Sequence, residues 1–207
     1  MLRRHFLWSS ACMLVGCGAQ GVEQQKQKIC SRPAVFGAYN IYDKWGKTHL
    51  TYHMLDRDTA DMKKGEWDEV WAKSFKCWSD VCPLTFEHIS SGLRGWEHAD
   101  IVIDVNRIAE GFGRKGGILA WAEMPATRNW DSQLWTQFDR AEDWVAEKDD
   151  RDDIILQSVA VHEIGHLLGL GHSTHIASIM YPYYDDLIIS PQENDIKAIQ
   201  TLYGEKK

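Results

Sequence analysis

The sequence has no excess of positive charge and no apolar run long enough to cross a bilayer. Its 207 residues include 23 basic and 30 acidic side chains, which give a formal net charge of −7. This balance argues against nucleic acid or an anionic membrane surface as the main partner. The apolar run Phe6–Gly16 is too short to span a membrane. No internal repeat divides the chain, and its length suits one domain, which we expect to be a monomer.

The first residues have the features of a targeting segment. An arginine pair precedes the short apolar run, and the stretch Leu14–Cys17 (LVGC) ends it. This stretch resembles the lipobox of bacterial lipoproteins, which implies a signal peptide over residues 1–16 and a lipid on Cys17. An ordinary secretory signal cut near Ala19 is the alternative, and Sec and twin-arginine export both stay open. We expect a location in the bacterial cell envelope, lipid-anchored (outer membrane) or secreted, with membrane contact only through the lipid.

Cysteine is scarce, with only five in the chain. Cys12 leaves with the signal peptide, and Cys17 takes the lipid. Cys77 and Cys82 are close enough in sequence to bridge across a helix end, which an oxidising envelope permits. Cys30 is left over by this pairing count. It lies in residues 17–33, a polar stretch that we interpret as a flexible tether before a catalytic domain at 34–207.

The densest chemical signal is the stretch Val159–Pro182, which contains the pattern H-E-x-x-H-x-x-G-x-x-H. Residues four apart lie on one helix face, so His162 and His166 can grip one metal ion together. Glu163 stands beside the first ligand, where it can act as general base toward a water at the metal. The spacing therefore predicts a catalytic zinc site rather than a set of ordinary core or surface histidines.

The third histidine of the pattern requires the helix to stop. His172 would lie roughly 15 Å further along the axis than His162 if the helix continued. We expect the chain to turn back at Gly169 and Gly171, because glycine adopts positive φ at little cost. Three imidazoles leave one tetrahedral position open, which is typical of a catalytic zinc.

Hydrophobic periodicity predicts five strands and three helices. We expect an amphipathic helix over Ala60–Trp78 and a helix over Ile154–Gly169 that carries the metal ligands. The glycine-rich loop Gly111–Gly117 lacks the setting and the Lys-Ser/Thr pair of a phosphate loop, which excludes nucleotide binding. The remaining predicted elements are strands at 47–54, 84–89, 99–105, 118–123 and 133–138 and a C-terminal helix at 191–203.

From roughly Lys44 to Gly204 the chain resembles the catalytic domain of matrixins, the matrix metalloproteinase family of the metzincin clan. The long histidine motif followed by Met180 is the clan signature, and Ser173 after the third histidine is similar to matrixins in particular. Further matching pieces are Lys47-Thr48-His49-Leu50-Thr51-Tyr52, Pro83-Leu84-Thr85-Phe86, Ala99-Asp100-Ile101, Leu119-Ala120, Met180-Tyr181-Pro182 and Ile199-Gln200-Thr201-Leu202-Tyr203-Gly204.

The resemblance implies an α/β fold (α+β mixed), with a twisted, mostly parallel five-stranded sheet and three helices. Met180 would form an apolar floor beneath the zinc. An extended peptide substrate would pair with the edge strand around Ile118, Leu119 and Ala120, a form of β-augmentation. Pro182 and Tyr184 would wall the pocket for the residue after the cut, for which we expect an apolar side chain.

Two metal sites of the family are altered in this sequence. Trp121 and Gln137 stand where matrixins place histidine ligands of a second, structural zinc, so we predict one zinc only. Asp139 and Glu142 match two ligands of the family's calcium site. Gly113 replaces a third, charged ligand, which leaves a weak oxygen cage at most. The sequence leaves calcium binding open.

Cys30 lies in a stretch, Ile29–Ala34 (ICSRPA), that is similar to part of the inhibitory cysteine segment of matrixin zymogens. The arginine before the cysteine and the final aspartate of that segment are missing. A thiolate is a good fourth zinc ligand, so a cysteine switch on a short tether is one interpretation. A disulfide or a free thiol without a role is the other.

These residues predict a zinc endopeptidase that acts on protein or peptide substrates. The zinc ligands would be His162, His166 and His172, with Glu163 as the general base. A catalytically silent lipoprotein that binds a partner through the same cleft is the main alternative, and an extracellular zinc-buffering protein is a third. Cleavage of a fluorogenic peptide and metal analysis distinguish these hypotheses.

Overall fold

The structure is a computed structural model that describes residues 27–30, 43–55, 59, 61–90, 95–106, 112–125, 132–148 and 153–207. The predicted signal peptide 1–16, Cys12, the predicted lipid site Cys17 and the predicted domain start at Ala34 lie outside these residues. Within the described ranges, no helix combines the length and the apolar character that a membrane crossing needs.

A five-stranded sheet forms the frame of the domain. Its strands are β1 (His49–Met54), β2 (Thr85–His88), β3 (Ile101–Asn106), β4 (Ala120–Ala122) and β5 (Leu134–Asp139). They lie in the order β2-β1-β3-β5-β4, and only β4 runs antiparallel to its neighbour. The predicted α/β fold with a mostly parallel sheet is therefore confirmed, and β4 lies at one edge of this sheet.

Three helices accompany the sheet: α1 (Lys64–Ser79), α2 (Leu156–Leu167) and α3 (Glu193–Tyr203). Helix α1 begins four residues after the predicted start at Ala60. A turn precedes it, in which Met62 N donates to Thr59 Oγ1 at 3.1 Å and Thr59 N donates to the Met62 carbonyl at 3.1 Å. Glu66 then accepts a 2.7 Å hydrogen bond from Lys63 N, which closes the first turn of the helix.

Two short elements were not predicted. A 3-10 helix covers Gly95–His98, and the strands β6 (Trp144–Val145) and β7 (Ile154–Ile155) form a small parallel ribbon. Two-residue strands are too short to show a period of two, so hydrophobic periodicity does not indicate them. The strand β7 covers the first two residues of the helix predicted over Ile154–Gly169. The ribbon ends directly at α2, so it fixes the entry of the helix that carries the predicted ligands.

Aromatic side chains fill the core between the sheet and α1. Trp67 and Trp71 of α1 meet Phe138 of β5 in edge-to-face contacts, with ring centroids 6.2 and 5.3 Å apart. Trp144 packs against the same phenylalanine at 5.3 Å. All four side chains are buried, as expected for tryptophans that belong to the core.

The predicted disulfide between Cys77 and Cys82 is wrong, because both are free thiols. Cys82 is fully buried after the end of α1, and its Sγ donates to the Trp78 carbonyl at 3.2 Å. Cys77 is half-buried on α1, 3.9 Å from Nε2 of Gln157 on α2. The two thiols therefore face different neighbours, a difference of direction that sequence spacing does not show.

Candidate metal centre and active-site cleft

Helix α2 presents two imidazoles on one buried face. His162 and His166 are four residues apart, and both are fully buried. Their ring centroids lie 4.7 Å apart with the planes nearly perpendicular, at 87°. This is the arrangement that the H-E-x-x-H spacing predicts.

The chain leaves α2 through a turn at Gly169, whose φ is 101°. A Cβ at this position would also overlap the Asp43 carbonyl, so both the positive φ and the close backbone contact require glycine. Gly171 does not have a positive φ, and its predicted share in the turn is wrong. The turn returns His172 to the other two histidines, with ring centroids 5.3 Å from His162 and 4.9 Å from His166.

Backbone carbonyls fix the tautomer of the two helical histidines. His162 Nδ1 donates to the Ile179 carbonyl and His166 Nδ1 donates to the Leu170 carbonyl, both at 2.7 Å. Each ring therefore turns an unprotonated Nε2 toward the centre of the cluster. The Nε2 atom of His162 is buried and has no hydrogen-bond partner among the described residues. A buried acceptor in this position fits a metal ion.

Cys30 supplies a fourth donor to the same cluster. Its sulfur lies 3.0 Å from Nε2 of His172 and 3.5 Å from Nε2 of His166. One ligand atom from each of the three histidines and Cys30 lies within 4.8 Å of the others, and all four residues are buried. A donor set of three nitrogens and one sulfur suits tetrahedral Zn²⁺. The residues present therefore fit the predicted ion.

Burial keeps the first histidine neutral. Desolvation, followed by the nearby charge of His172, lowers the pKa of His162 to about 3. A neutral imidazole is the form that binds metal. Burial therefore favours the form of His162 that binds metal.

Glu163 follows the first ligand on α2 and is fully buried. Since it is next to His162 and three residues before His166, the helix carries its carboxylate on the side of the cluster. Burial of a carboxylate is costly unless it has a task or a partner. Its place beside the ligands is the one that the motif predicts for a general base.

Met180 lies directly behind the helix that carries the ligands. A Cβ added to Gly165 of α2 would overlap the Met180 sulfur, so the absence of a side chain at Gly165 permits this close contact. Met180 is fully buried, and its carbonyl accepts a 2.9 Å hydrogen bond from Ser173 N. Its packing against α2 is compatible with the apolar floor that the matrixin resemblance implies, and that role stays a prediction.

A buried aspartate supports this region and was missed by the sequence analysis. Asp195 of α3 is fully buried and accepts hydrogen bonds from Ile179 N at 3.0 Å, from Gln192 N at 2.8 Å and from the Ser178 hydroxyl. The Ile179 carbonyl in turn holds His162. The available signal was a carboxylate in the first turn of a predicted helix, which indicates a cap but not its distant partners.

Two backbone walls flank the metal cluster, and residues 27–30 lie between them. Leu119 N and Ala120 N donate to the Ile29 carbonyl at 3.1 and 3.0 Å. On the other side Ile29 N donates to the Pro182 carbonyl at 3.0 Å, and Tyr184 N donates to the Gln27 carbonyl at 2.8 Å. Leu119, Ala120, Pro182 and Tyr184, the predicted substrate walls, therefore bind residues 27–30 of the chain itself, and their contact with a substrate stays a prediction.

The segment Gln27–Cys30 is the described part of the tether predicted over residues 17–33, and from here on the word tether means these four residues. The tether occupies the cleft as a bound peptide would. Lys28 pairs with Tyr183 in an antiparallel bridge. Ile29 is buried among the core residues. Ile118 is half-buried and directly precedes Leu119 and Ala120, which hold Ile29. These four residues are packed against the domain, whereas the sequence indicated a flexible connection up to residue 33.

The matrixin family profile matches residues 44–204. The chain belongs to the matrixin family. Interstitial collagenase of Equus caballus is 36% identical over 195 residues, which cover 90% of this chain and 39% of that protein. Macrophage metalloelastase of Rattus norvegicus is 40% identical over 168 residues, 78% of this chain and 34% of that protein. The chain thus spans less than half the length of these relatives.

The two carboxylates that match the calcium site of matrixins have N–H donors as partners. Asp139 accepts from Gly113 N and Ala141 N, both at 2.8 Å, and Glu142 Oε1 accepts from Gly116 N at 2.9 Å. Burial is the main reason that the pKa of Glu142 is raised. These N–H donors use part of the capacity of the two carboxylates to accept hydrogen bonds, and calcium binding at Asp139 and Glu142 stays a prediction.

The positions that matrixins use for a structural zinc carry different chemistry here. Trp121 of β4 and Gln137 of β5 are direct partners in the strand register. Gln137 Nε2 donates to Asp104 Oδ2 of β3 at 3.0 Å, which joins the two strands by a side-chain hydrogen bond. A carboxamide paired with a carboxylate replaces the imidazole ligands at this place.

Proposed function

We propose that this matrixin is a zinc-dependent endopeptidase that hydrolyses extended protein or peptide substrates. The convergence of His162, His166 and His172 beside Glu163 carries this proposal, because it supplies three nitrogen ligands and a carboxylate base at one place. The relatives named above support it, since they belong to the same peptidase family.

When bound, zinc supplies a Lewis acid that polarises the scissile carbonyl and makes a water more acidic. The chain's own residues supply the rest. The Ile179 and Leu170 carbonyls hold His162 and His166 in the tautomer that binds metal. Glu163 accepts a proton from the attacking water and passes it to the leaving amine.

The cleft walls would hold the substrate backbone. The Leu119 and Ala120 amides and the Pro182 carbonyl now bond to Ile29, and they are free for a substrate once the tether leaves. Ile29 lies beside Cys30 and is buried between these walls. Its burial supports an apolar preference for the substrate residue after the cut.

We propose further that the described state is latent. The Cys30 sulfur, 3.0 Å from Nε2 of His172, would supply a fourth ligand to the metal, and residues 27–30 bond to the walls that a substrate would need. Activity would then require that Cys30 leave the cluster. The proposal includes one zinc ion, because Gln137 donates to Asp104 where matrixins place a histidine ligand of the structural zinc. The Leu14–Cys17 stretch supports an envelope lipoprotein anchored at Cys17.

Replacement of Glu163 by Gln tests the proposed chemistry. The variant should bind one zinc per chain like the native protein and cleave a fluorogenic peptide at least about a hundredfold more slowly, since general-base catalysis contributes this much or more. Both proteins should first be treated to release Cys30, for example by alkylation of that thiol. Glu193→Gln, an exposed carboxylate on α3, serves as the control. Equal cleavage by the native protein and Glu163→Gln would contradict the proposal.

A further inference from the structure

The tether is held at two ends, and only one of them is Cys30. Three residues before Cys30, the Gln27 side chain reaches the side of the cleft that carries Leu119 and Ala120. Its Nε2 donates to Glu142 Oε1 at 2.9 Å and to the Gly117 carbonyl at 3.1 Å. Neither contact follows from the metal chemistry at the other end of the tether.

Gln27 also bonds to the opposite wall through its backbone. Its carbonyl accepts a 2.8 Å hydrogen bond from Tyr184 N. One residue therefore spans the cleft, with its side chain on the glycine-rich loop and its main chain on the segment after Met180. A peptide fixed to both walls at this point cannot slide along the cleft without breaking both contacts.

The acceptor for Gln27 is built into the domain. Glu142 is only 2% exposed, and its Oε1 also accepts from Gly116 N at 2.9 Å, which fixes the carboxylate in place. A hydrogen bond to a charged group is stronger than one between neutral groups. The position of Glu142 close to the buried Asp139 adds negative charge, so a donor such as a carboxamide or a cation is the favoured occupant.

We propose that Glu142 and the Gly117 carbonyl form a docking site for the Gln27 carboxamide, and that this site holds Cys30 over the metal cluster. The proposal rests on the latent zinc peptidase described above. It gives Glu142 a role in latency. Release of Gln27 from Glu142 would then free the tether at the end away from the metal.

The reactivity of the Cys30 thiol measures how firmly the tether is held, without any need for proteolysis. We would use the full chain, loaded with zinc and carrying Glu163→Gln to prevent self-cleavage. Iodoacetamide labels exposed thiols, and mass spectrometry of the peptides reads Cys30 separately. The free thiols Cys77 and Cys82 in the same sample serve as internal references.

Three changes at Gln27 make the test specific for the contact with Glu142. Gln27→Ala should raise the labelling rate of Cys30 about tenfold, because it removes a hydrogen bond to a charged acceptor. Gln27→Glu should raise it more, since two carboxylates repel each other. Gln27→Lys should label close to the native rate, because its ammonium group can still donate to Glu142. The control is Gln200→Ala, which removes a carboxamide bond to the Val81 carbonyl on a distant part of the domain.

The possible failures are distinct. The proposed docking site is wrong if Cys30 is labelled at the same rate in Gln27→Ala as in Gln200→Ala. It is also wrong if Cys30 is labelled as fast in Gln27→Lys as in Gln27→Glu. In either case the contact of Cys30 with the metal cluster, called the latch here, is unaffected. If native Cys30 labels equally fast with and without a chelator, zinc does not hold the thiol, and both the latch and the docking site are wrong. Neither result bears on peptide cleavage by the thiol-alkylated protein, which tests the peptidase function separately.

Discussion

The Cys30 sulfur lies 3.0 Å from Nε2 of His172, although 142 positions separate them in the chain. This distance is too short to leave room for a water between the thiol and the histidine cluster. The water that attacks the substrate and the Cys30 sulfur therefore cannot occupy this place at the same time. We propose that the state of this one thiol is the main control on access to the site.

Removal of the Cys30 thiol should make the protein active as purified. For Cys30→Ala we expect an initial rate of peptide cleavage at least about tenfold above that of the native chain, since a latch worth 1.4 kcal/mol already gives that factor. A fluorogenic peptide and freshly purified, zinc-loaded protein provide the measurement. Cys77→Ala changes a half-buried thiol on α1 and should leave the rate unchanged. If Cys30→Ala and Cys77→Ala give the same rate, Cys30 is not a latch.

Acid should destabilise the metal-free protein through His162. Burial lowers the pKa of this histidine from 6.5 to about 3. Below pH 6.5 the unfolded chain binds a proton at His162 that the folded chain does not bind, so the free energy of unfolding falls as the pH falls. The loss approaches about 1.4 kcal/mol per pH unit at this one site. Urea unfolding of chelator-treated protein at several pH values measures it. His162→Gln should show a smaller slope, and equal slopes would contradict the assignment.

Local periodicity accounts for the parts that could be predicted from the sequence. The spacing of His162 and His166 fixes a helix face, and the need to bring back His172 fixes a turn, so the ligand set followed from the chain itself. Which glycine makes the turn did not follow. Gly169 takes positive φ and Gly171 does not, and the close approach of the Asp43 carbonyl to Gly169 is a tertiary contact that the local sequence does not show.

Contacts between distant segments could not be predicted in the same way. Cys77 and Cys82 are close in sequence, but their side chains point to different neighbours. Gln27 and Glu142 are 115 positions apart, and only the folded chain brings them to hydrogen-bond distance. A sequence pattern shows which residues share a face, whereas pairing across a cleft depends on the whole tertiary arrangement.

The contact between Gly165 and Met180 should not tolerate a methyl group. A Cβ at Gly165 would overlap the Met180 sulfur and crowd the Trp78 ring, so one of these buried groups must move. For Gly165→Ala we expect a loss of about 1–3 kcal/mol in the free energy of unfolding, as for other overpacked sites. Gly65 of α1 has no atom within 4 Å of an added Cβ, and Gly65→Ala should cost nothing. Urea unfolding of the two variants makes the comparison, and an equal effect would exclude a packing role for Gly165.

Asp195 should affect the metal site although it does not touch the ligands. It accepts a 3.0 Å hydrogen bond from Ile179 N, and the Ile179 carbonyl accepts the proton of His162 Nδ1 at 2.7 Å. Asp195→Ala would leave the Ile179 amide and the Ser178 hydroxyl without their buried acceptor. Since partners behind a ligand typically contribute 10–100-fold to metal affinity, we expect zinc affinity to fall by roughly tenfold. The free energy of unfolding should fall as well, by about 2 kcal/mol.

The two effects of Asp195 can be separated by experiment. Zinc affinity is measured by competition with a chromogenic chelator, at a temperature where both proteins are fully folded. Glu193→Ala removes an exposed carboxylate from the same first turn of α3 and controls for the loss of charge near the helix start. If Asp195→Ala is less stable but binds zinc with native affinity, Asp195 only stabilises the fold. If zinc affinity falls with Asp195→Ala and not with Glu193→Ala, Asp195 acts on His162 by holding the Ile179 backbone, whose carbonyl orients the imidazole.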